Sequence, residues 1–444
     1  MQKELVILGA GESGVGAALL ARAKGIPVFV SDNGPIAPRF KEELASGQIP
    51  FEEGGHTQSR VLQAGEVVKS PGIPDTAPLI QALEAAGIPV ISDIELAGRY
   101  TRAHIIGITG SNGKTTTTLW LHHVLMGAGM DAVLSGNVGV SPCRELARRD
   151  PAIFVMELSS FQLDRMYQFK VDTAIITNIT PDHLDRYHYQ FENYVQAKLR
   201  ILQNQDAKGA FIWWQEDPVL NEFLKPNITP ARSLSFSKNR VAAAYVEGGQ
   251  LVATSGANTL RMPVEDLALQ GQHNLYNAMA VALAALTAGA PVEAIVDGLS
   301  SFKGVAHRLE HCGEVDGVLY INDSKATNVD STWYALESMT RPVIWIAGGT
   351  DKGNEYEALH PLVTEKVKAL ICMGVDNEKL IKAFSGLVPE VESTASMEAA
   401  LGAARRLASP GDVVLLSPAC ASFDLFKNYE HRGDLFRQMV SVTD

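Results

Sequence analysis

The residue types needed to hold a polyphosphate stand together in Ile105-Ile-Gly-Ile-Thr-Gly110-Ser111-Asn112-Gly113-Lys114-Thr115-Thr116. Glycines at 110 and 113 let a turn bring successive backbone N–H groups close to an anion. Lys114 adds a cation for the outer phosphates, and Thr115 offers a hydroxyl to a magnesium ion. The spacing is the short G-x-x-G-K-T form; the longer G-x-x-x-x-G-K-[ST] pattern would need glycine where Ile108 stands. A second glycine turn, Gly9-Ala-Gly11-Glu-Ser13-Gly14, follows the apolar residues 4–8 and is answered by Asp32 at the end of the next apolar run. Such a turn serves a dinucleotide, another nucleotide or a pyrophosphate, or is a tight strand-to-helix turn without a ligand.

Other chemistry-bearing side chains stand just after apolar runs. Glu157 follows residues 153–156, and Asn178 precedes Thr180-Pro-Asp182-His183-Leu-Asp185. A carboxylate and a histidine near a phosphate loop suit magnesium and substrate handling, although Asp182 or Asp185 could equally cap the helix that follows. In residues 191–202, Phe191, Tyr194, Val195 and Leu202 form one apolar stripe at ~100° per residue, with Lys198 in its middle. That lysine is either desolvated, which favours the neutral amine, or snorkels along its stem to solvent. Asn274 and Asn277 lie one helical turn apart and could contact a base or ribose, or Asn274 could be an N-cap. Cys420, in the loop after residues 413–417, is a nucleophile candidate or a small packing residue.

These groups need a scaffold, and 444 residues at ~150 per domain suggest about three domains. Apolar runs alternate with helical stretches: residues 4–8, 28–30 and 67–70 first, then 105–109, 132–134, 153–156, 174–177 and 211–214. Residues 319–322, 343–347, 369–373 and 413–417 complete the series. This is an α/β chain with mainly parallel sheets, whose functional loops gather at strand carboxyl ends. Residues 241–254 read as an edge hairpin turning at Glu247-Gly-Gly-Gln250. Lys plus Arg number 38 against 50 Asp plus Glu, a formal charge of −12, which argues against a nucleic-acid or anionic-membrane surface. Four cysteines without a C-x-x-C pair suit a reducing compartment, and no apolar run reaches the ~20 residues that span a bilayer. A soluble cytoplasmic monomer is expected.

The chain resembles the Mur ligase family. The resemblance rests on Gly110-Ser-Asn-Gly-Lys-Thr115, Glu157-Leu-Ser-Ser-Phe-Gln162, Asp182-His-Leu-Asp-Arg186, Gly271-Gln-His-Asn274, His307-Arg308 and Asn322-Asp-Ser-Lys-Ala-Thr-Asn328. Ser417-Pro-Ala-Cys-Ala-Ser-Phe-Asp424 and Phe426-Lys-Asn-Tyr-Glu-His-Arg-Gly433 complete it and look like the D-glutamate-adding branch.

The resemblance implies three domains: a Rossmann-like UDP-sugar domain at 1–93, a P-loop ATPase domain at 94–304 and a Rossmann-like amino-acid domain at 305–444. It further implies ATP-dependent addition of D-glutamate to UDP-N-acetylmuramoyl-L-alanine through an acyl phosphate, for peptidoglycan. Lys114, Glu157, His183 and Lys198 would be catalytic. Thr115 and Glu157 would hold one magnesium, His183 and a carbamylated Lys198 a second. ATP would meet residues 110–116, Asn274, Asn277, Arg308 and Asp323. Ser13, Gly72, Asn137 and His183 would meet the UDP-substrate, and Lys325, Thr327, Lys352, Ser422 and Tyr429 the D-glutamate. The last domain is expected to close during reaction, to keep the acyl phosphate from water.

One departure is Ser31-Asp32-Asn33-Gly34, which lacks the arginine of the family's Asp-Thr-Arg-like run and leaves Arg39 as a candidate substitute. Two other functions compete: a nicotinamide-dependent oxidoreductase, from the first glycine turn and Asp32, and a non-enzymatic nucleotide switch, from the Lys114 loop.

Overall fold

The computed structural model describes residues 3–182, 184–225, 228–351 and 353–441, with the backbone alone for Asp185. Three sheets carry the chain, in two compact units: Met1–Leu267 with Tyr276–Phe302, and Ala268–Leu275 with Lys303–Asp444.

The first unit holds two sheets. Strands β1 (Leu5–Leu8), β2 (Val28–Ser31), β3 (Phe51–Glu52), β4 (Glu66–Lys69) and β5 (Val90–Ile91) pair in parallel in the order β3-β2-β1-β4-β5. All four residues of β1 are buried, as a parallel strand covered on both faces requires. The second sheet contains β6 (His104–Thr109), β7 (Ala132–Gly136), β8 (Ile153–Glu157), β9 (Thr173–Ile176) and β10 (Ala210–Trp214). It continues through β11 (Arg232–Phe236), β12 (Ala244–Glu247), β13 (Gln250–Ser255) and β14 (Asn258–Pro263), in the order β14-β13-β12-β11-β10-β9-β6-β8-β7.

The expected hairpin turns where Glu247 pairs with Gln250, but a third strand, β14, extends it to the sheet edge. Strands β11 and β14 escape a reading by apolar runs because each is half exposed and carries an arginine. A carboxylate joins the two sheets. Ser92 caps the helix Asp93–Gly98, and Glu95 in that helix accepts the backbone N–H groups of Tyr167, Gln168 and Phe169 at 2.9–3.1 Å. Arg165 pairs with Asp75 at 3.0 Å and Glu84 at 2.6 Å.

The second unit has β15 (Glu310–Val315), β16 (Val318–Asn322), β17 (Val343–Ala347), β18 (Val367–Met373), β19 (Glu390–Thr394) and β20 (Val413–Leu416), in the order β15-β16-β20-β17-β18-β19. It is parallel except for β15, an antiparallel edge strand absent from the sequence reading. The helix Tyr429–Ser441 packs over β15 and β16, with the Phe436 ring 6.4 Å from that of Tyr320.

Candidate active site

In the second sheet β9, β6, β8 and β7 are neighbours, so their carboxyl ends bring Asn178, Gly110, Glu157 and Asn137 to one edge. That order assembles the predicted loops into one crevice. At Gly110, φ is +146° and an added Cβ would lie 1.9 Å from the Thr177 hydroxyl. Gly113 is the left-handed N-cap of the helix Lys114–Gly127, and a Cβ there would meet Asn277 Oδ1 at 2.5 Å. Both positions therefore demand glycine.

The turn is tied to the β9 loop. Ser111 N–H donates to the Asn178 carbonyl at 2.9 Å and Asn112 N–H to Asn178 Oδ1 at 2.9 Å. Asn178 Nδ2 and Thr177 Oγ1 in turn donate to the Asn112 carbonyl at 3.0 and 2.6 Å. The Ser111 and Asn112 N–H groups, expected to face phosphate, are thus engaged within the protein. An anion held by the turn would therefore meet the helix start beyond Asn112, which no side chain caps. Thr115 and Thr116 are buried there, and Thr117 Oγ1 donates to Asn277 Oδ1 at 3.2 Å.

Glu157 is 2 % exposed. Its Oε1 accepts from Asn137 Nδ2 at 2.8 Å, while Oε2 is buried without a hydrogen-bond partner among the described residues. A buried carboxylate oxygen without a donor is costly unless a cation or ligand meets it. Lys198 is likewise 2 % exposed, which excludes the snorkelling alternative. The helix that carries it, Phe191–Leu199, gives way to a 3₁₀ turn at Arg200–Leu202, shorter than the periodicity suggests. Burial, reinforced by the charge of Lys114, holds the Lys198 ammonium well below the usual lysine range. Its Nζ reaches the Gly110 carbonyl at 2.6 Å and lies 4.5 Å from the centre of the Tyr194 ring. Tyr194, to which sequence reasoning assigned only a place in the stripe, sets its hydroxyl 3.1 Å from Ser111 Oγ. His183 lies outside the described residues, as does Lys352.

At the first glycine turn, Gly9 has φ +94° and a Cβ there would strike Ser70 Oγ at 2.4 Å. Asp32 turns inward: its two oxygens accept from Ala10 N–H at 2.6 Å and Gly34 N–H at 2.8 Å. Arg39 is exposed, its guanidinium 4.3 Å over the Phe40 ring. Ser13 stands beside the buried Asp93 carboxyl, and Gly72 is exposed in the loop after β4.

In the second unit, Asp323 follows β16 and is buried. It accepts from Ser417 Oγ at 2.9 Å and Leu309 N–H at 3.2 Å, and burial pushes its pKa up to about 7. Arg308, which opposes that shift, has a buried Nε without a hydrogen-bond partner among the described residues. Asn274 is not an N-cap: the helix starts at Gln272, and Asn274 Nδ2 donates back to the Gln270 carbonyl at 2.9 Å. Lys325 Nζ lies 5.3 Å from the centre of the Tyr429 ring, Ser422 is buried, and Thr327 precedes the Asn328 cap of the helix Val329–Glu337.

Arg432, which the sequence reading placed in a motif but gave no role, is fully buried. Its guanidinium donates to Ser324 Oγ at 3.0 Å and to the carbonyls of Ser324 (2.9 Å), Cys420 (3.2 Å) and Gly348 (3.4 Å). It thereby ties the loops after β16, β17 and β20. Burial pushes the Cys420 thiol up to about 11, which suits packing and not a thiolate nucleophile.

Three family models match in succession: "Mur ligase MurD-like, N-terminal domain" over residues 3–92, "Mur ligase middle domain" over 108–285 and "Mur ligase, glutamate ligase domain" over 307–420. The chain belongs to the Mur ligase family, a family of ATP-dependent amide-bond-forming ligases with three α/β domains. It is 54% identical over 444 residues to the UDP-N-acetylmuramoylalanine–D-glutamate ligase of Porphyromonas gingivalis strain W83, covering 99% of each chain. It is 51% identical over 441 residues to the protein of that name from Bacteroides fragilis, again covering 99% of each. Among solved structures, a pseudomurein peptide ligase type C from Methanothermus fervidus shares the fold, with TM-score 0.65, 20% identity and 100% of both chains covered. Among the described residues, no helix is long and apolar enough to cross a membrane.

Proposed function

We propose that this chain joins D-glutamate to UDP-N-acetylmuramoyl-L-alanine at the expense of ATP, a step of peptidoglycan precursor synthesis. The observation that carries the reading is that Lys114 and Lys198 both reach the Gly110 carbonyl of the glycine turn, with Glu157, whose Oε2 has no hydrogen-bond partner among the described residues, close enough to interact with the Lys198 charge. The names of relatives that match along the whole chain support the choice of substrates. In this reading residues 1–93 take the UDP-sugar, 94–304 the ATP and 305–444 the amino acid.

The chemistry is phosphoryl transfer followed by acyl transfer. A terminal carboxylate oxygen of the UDP-substrate attacks the γ-phosphorus, the bond to the β-phosphate oxygen breaks, and ADP leaves. The amine of D-glutamate then attacks the acyl carbon, loses a proton, and phosphate departs. Such transfer is mostly positioning and charge neutralisation, so Lys114 and the helix start beyond Gly113 hold the outer phosphates.

The donors fit magnesium, which when bound would neutralise phosphate charge: Thr115 Oγ1 and Glu157 Oε2 are hard oxygen ligands. His183 and a carbamate on Lys198 would hold a second ion. The neutral Lys198 amine, favoured by burial, attacks carbon dioxide; a C–N bond forms, a proton leaves, and the carbamate produced shares one negative charge between two oxygens. Asn274, Asn277, Arg308 and Asp323 serve the nucleoside. Ser13, Gly72 and Asn137 serve the UDP-sugar. Lys325, Thr327, Lys352, Ser422 and Tyr429 serve the two carboxylates of D-glutamate.

The oxidoreductase alternative fits poorly. Asp32, which would bind a ribose there, already accepts two backbone N–H groups. The test is ADP release from ATP, magnesium and UDP-N-acetylmuramoyl-L-alanine with each candidate amino acid in turn. D-glutamate is expected to drive it; L-glutamate working equally well would contradict the reading.

A further inference from the structure

The first glycine turn carries an unusual charge for an anion site. Glu12 is the first residue of the helix Glu12–Ala23, whose N-cap Gly11 offers no side chain. A carboxylate within the first turn sits in the field that would attract a diphosphate, and it repels one. The buried Asp93 lies close enough to interact with Glu12, with Ser13 beside its carboxyl. Two acidic groups therefore stand at the helix end proposed for the UDP-sugar.

The charge of Glu12 is answered from the second sheet. Ser141 N–H donates to Glu12 Oε1 at 3.2 Å, and Arg144, in the helix Pro142–Leu146, forms a two-point contact: Nε to Oε1 at 2.7 Å and Nη2 to Oε2 at 3.1 Å. The third arm of the guanidinium bonds Glu43. The arginine side chain is 18 % exposed against 38 % for Glu12, so the cation is the better sequestered partner. Packing leaves it little choice of position. A Cβ on Gly16 of the first helix would lie 2.5 Å from Ser141 Oγ and 3.2 Å from the Arg144 backbone nitrogen, so the two helices meet at van der Waals distance. Asn137, proposed for the same substrate, lies in the connection that leads into this helix.

We propose that Arg144 is a positioning residue for the UDP-substrate: by holding the Glu12 carboxylate aside and compensating its charge, it makes the helix end receptive to a diphosphate. The inference rests on the UDP-sugar reading of this domain. It explains how the turn can work although Arg39 lies against Phe40 and Ser31-Asp32-Asn33-Gly34 supplies no cation. An ion pair that merely fastens two helices would depend equally on both partners. A compensating one is asymmetric: losing the arginine exposes the carboxylate, whereas losing the carboxylate removes the need for the arginine.

The test is calorimetric titration of the full chain with UDP and with UDP-N-acetylmuramoyl-L-alanine, alongside KM values for ATP and D-glutamate. Arg144→Gln is expected to weaken both UDP ligands about ten-fold while leaving the other two KM values within about two-fold. Glu12→Gln is expected to bind at least as tightly as the unaltered protein, and the double substitution to recover to within about two-fold of it. Weakening by Glu12→Gln matching that of Arg144→Gln, without recovery in the double, would overturn the inference in favour of simple fastening. Glu12→Gln decides the matter even where Arg144→Gln does not fold, since a ten-fold loss there would also overturn it. An unaltered protein that binds neither UDP ligand would overturn the UDP-sugar reading itself, a result distinct from any pattern among the variants.

Discussion

Lys198 Nζ lies 2.6 Å from the carbonyl oxygen of Gly110, the same oxygen that Lys114 Nζ approaches at 2.8 Å. Two ammonium groups on one acceptor repel, and the buried one yields its proton more readily. Lys198→Ala is therefore expected to lower ligase turnover by about two orders of magnitude or more, with the fold intact. Acetate or formate should restore part of it by filling the carboxylate position. Near-normal turnover would contradict a role for the lysine, and a loss that neither anion repairs would keep the lysine important without supporting the carbamate.

Glu157→Gln keeps an acceptor oxygen for Asn137 and replaces Oε2, which has no hydrogen-bond partner among the described residues, by an NH2 group, which cannot serve a cation. The magnesium concentration giving half-maximal ADP release should rise about ten-fold or more, with unfolding free energy changed by about 1 kcal/mol at most. An unchanged magnesium dependence would rule Glu157 out as a ligand.

Gly113→Ala places a methyl group at φ +82° against Asn277 Oδ1. The strain costs about 1–2 kcal/mol, and the helix start must shift where phosphates are proposed to bind. A KM for ATP raised at least about five-fold is expected in steady-state assays, whereas wild-type kinetics would show that the loop tolerates a Cβ.

Asp323 supplies a pH dependence. Its folded pKa of about 7 lies above an unfolded value near ~3.9, so between these limits the folded protein keeps a proton that the unfolded chain has lost. Stability contributed by this group is complete below about pH 4 and falls as pH rises toward 7, by up to about 4 kcal/mol. Asp323→Asn should flatten that slope. Urea unfolding at pH 5 and pH 7.5 checks it, and an undiminished slope in the variant would assign it to other groups.

Much of the framework was legible because it rests on local chemistry. The strand ending at Thr109, the glycines at 110 and 113 and the carboxylate at 157 announce themselves by type and spacing. So does the stripe around Lys198, although its periodicity left open whether the amine is buried. What stayed hidden depends on contacts distant in sequence. That Ser111 and Asn112 N–H groups are engaged follows from Asn178, more than sixty residues away. Asn274 resembles a cap until the helix is seen to begin two residues earlier. Arg144 and Arg432 look like ordinary helix arginines, because only the packing of another element reveals what each guanidinium faces.

The three loops held by Arg432 also have a history in time. Ser324 is bound by a residue 108 positions further along the chain, and the strand between β16 and β17 in the sheet, β20, is itself made late. On the ribosome, the loop proposed to hold the amino acid emerges long before the side chain that fixes it, so its shape must wait while β17, β18 and β19 are synthesised. Closure of so long a loop is an entropic barrier that local helix formation cannot bypass. The loops proposed for the amino acid are accordingly the last to mature, and a nascent chain released before Arg432 would hold the strands without the form of the loops between them.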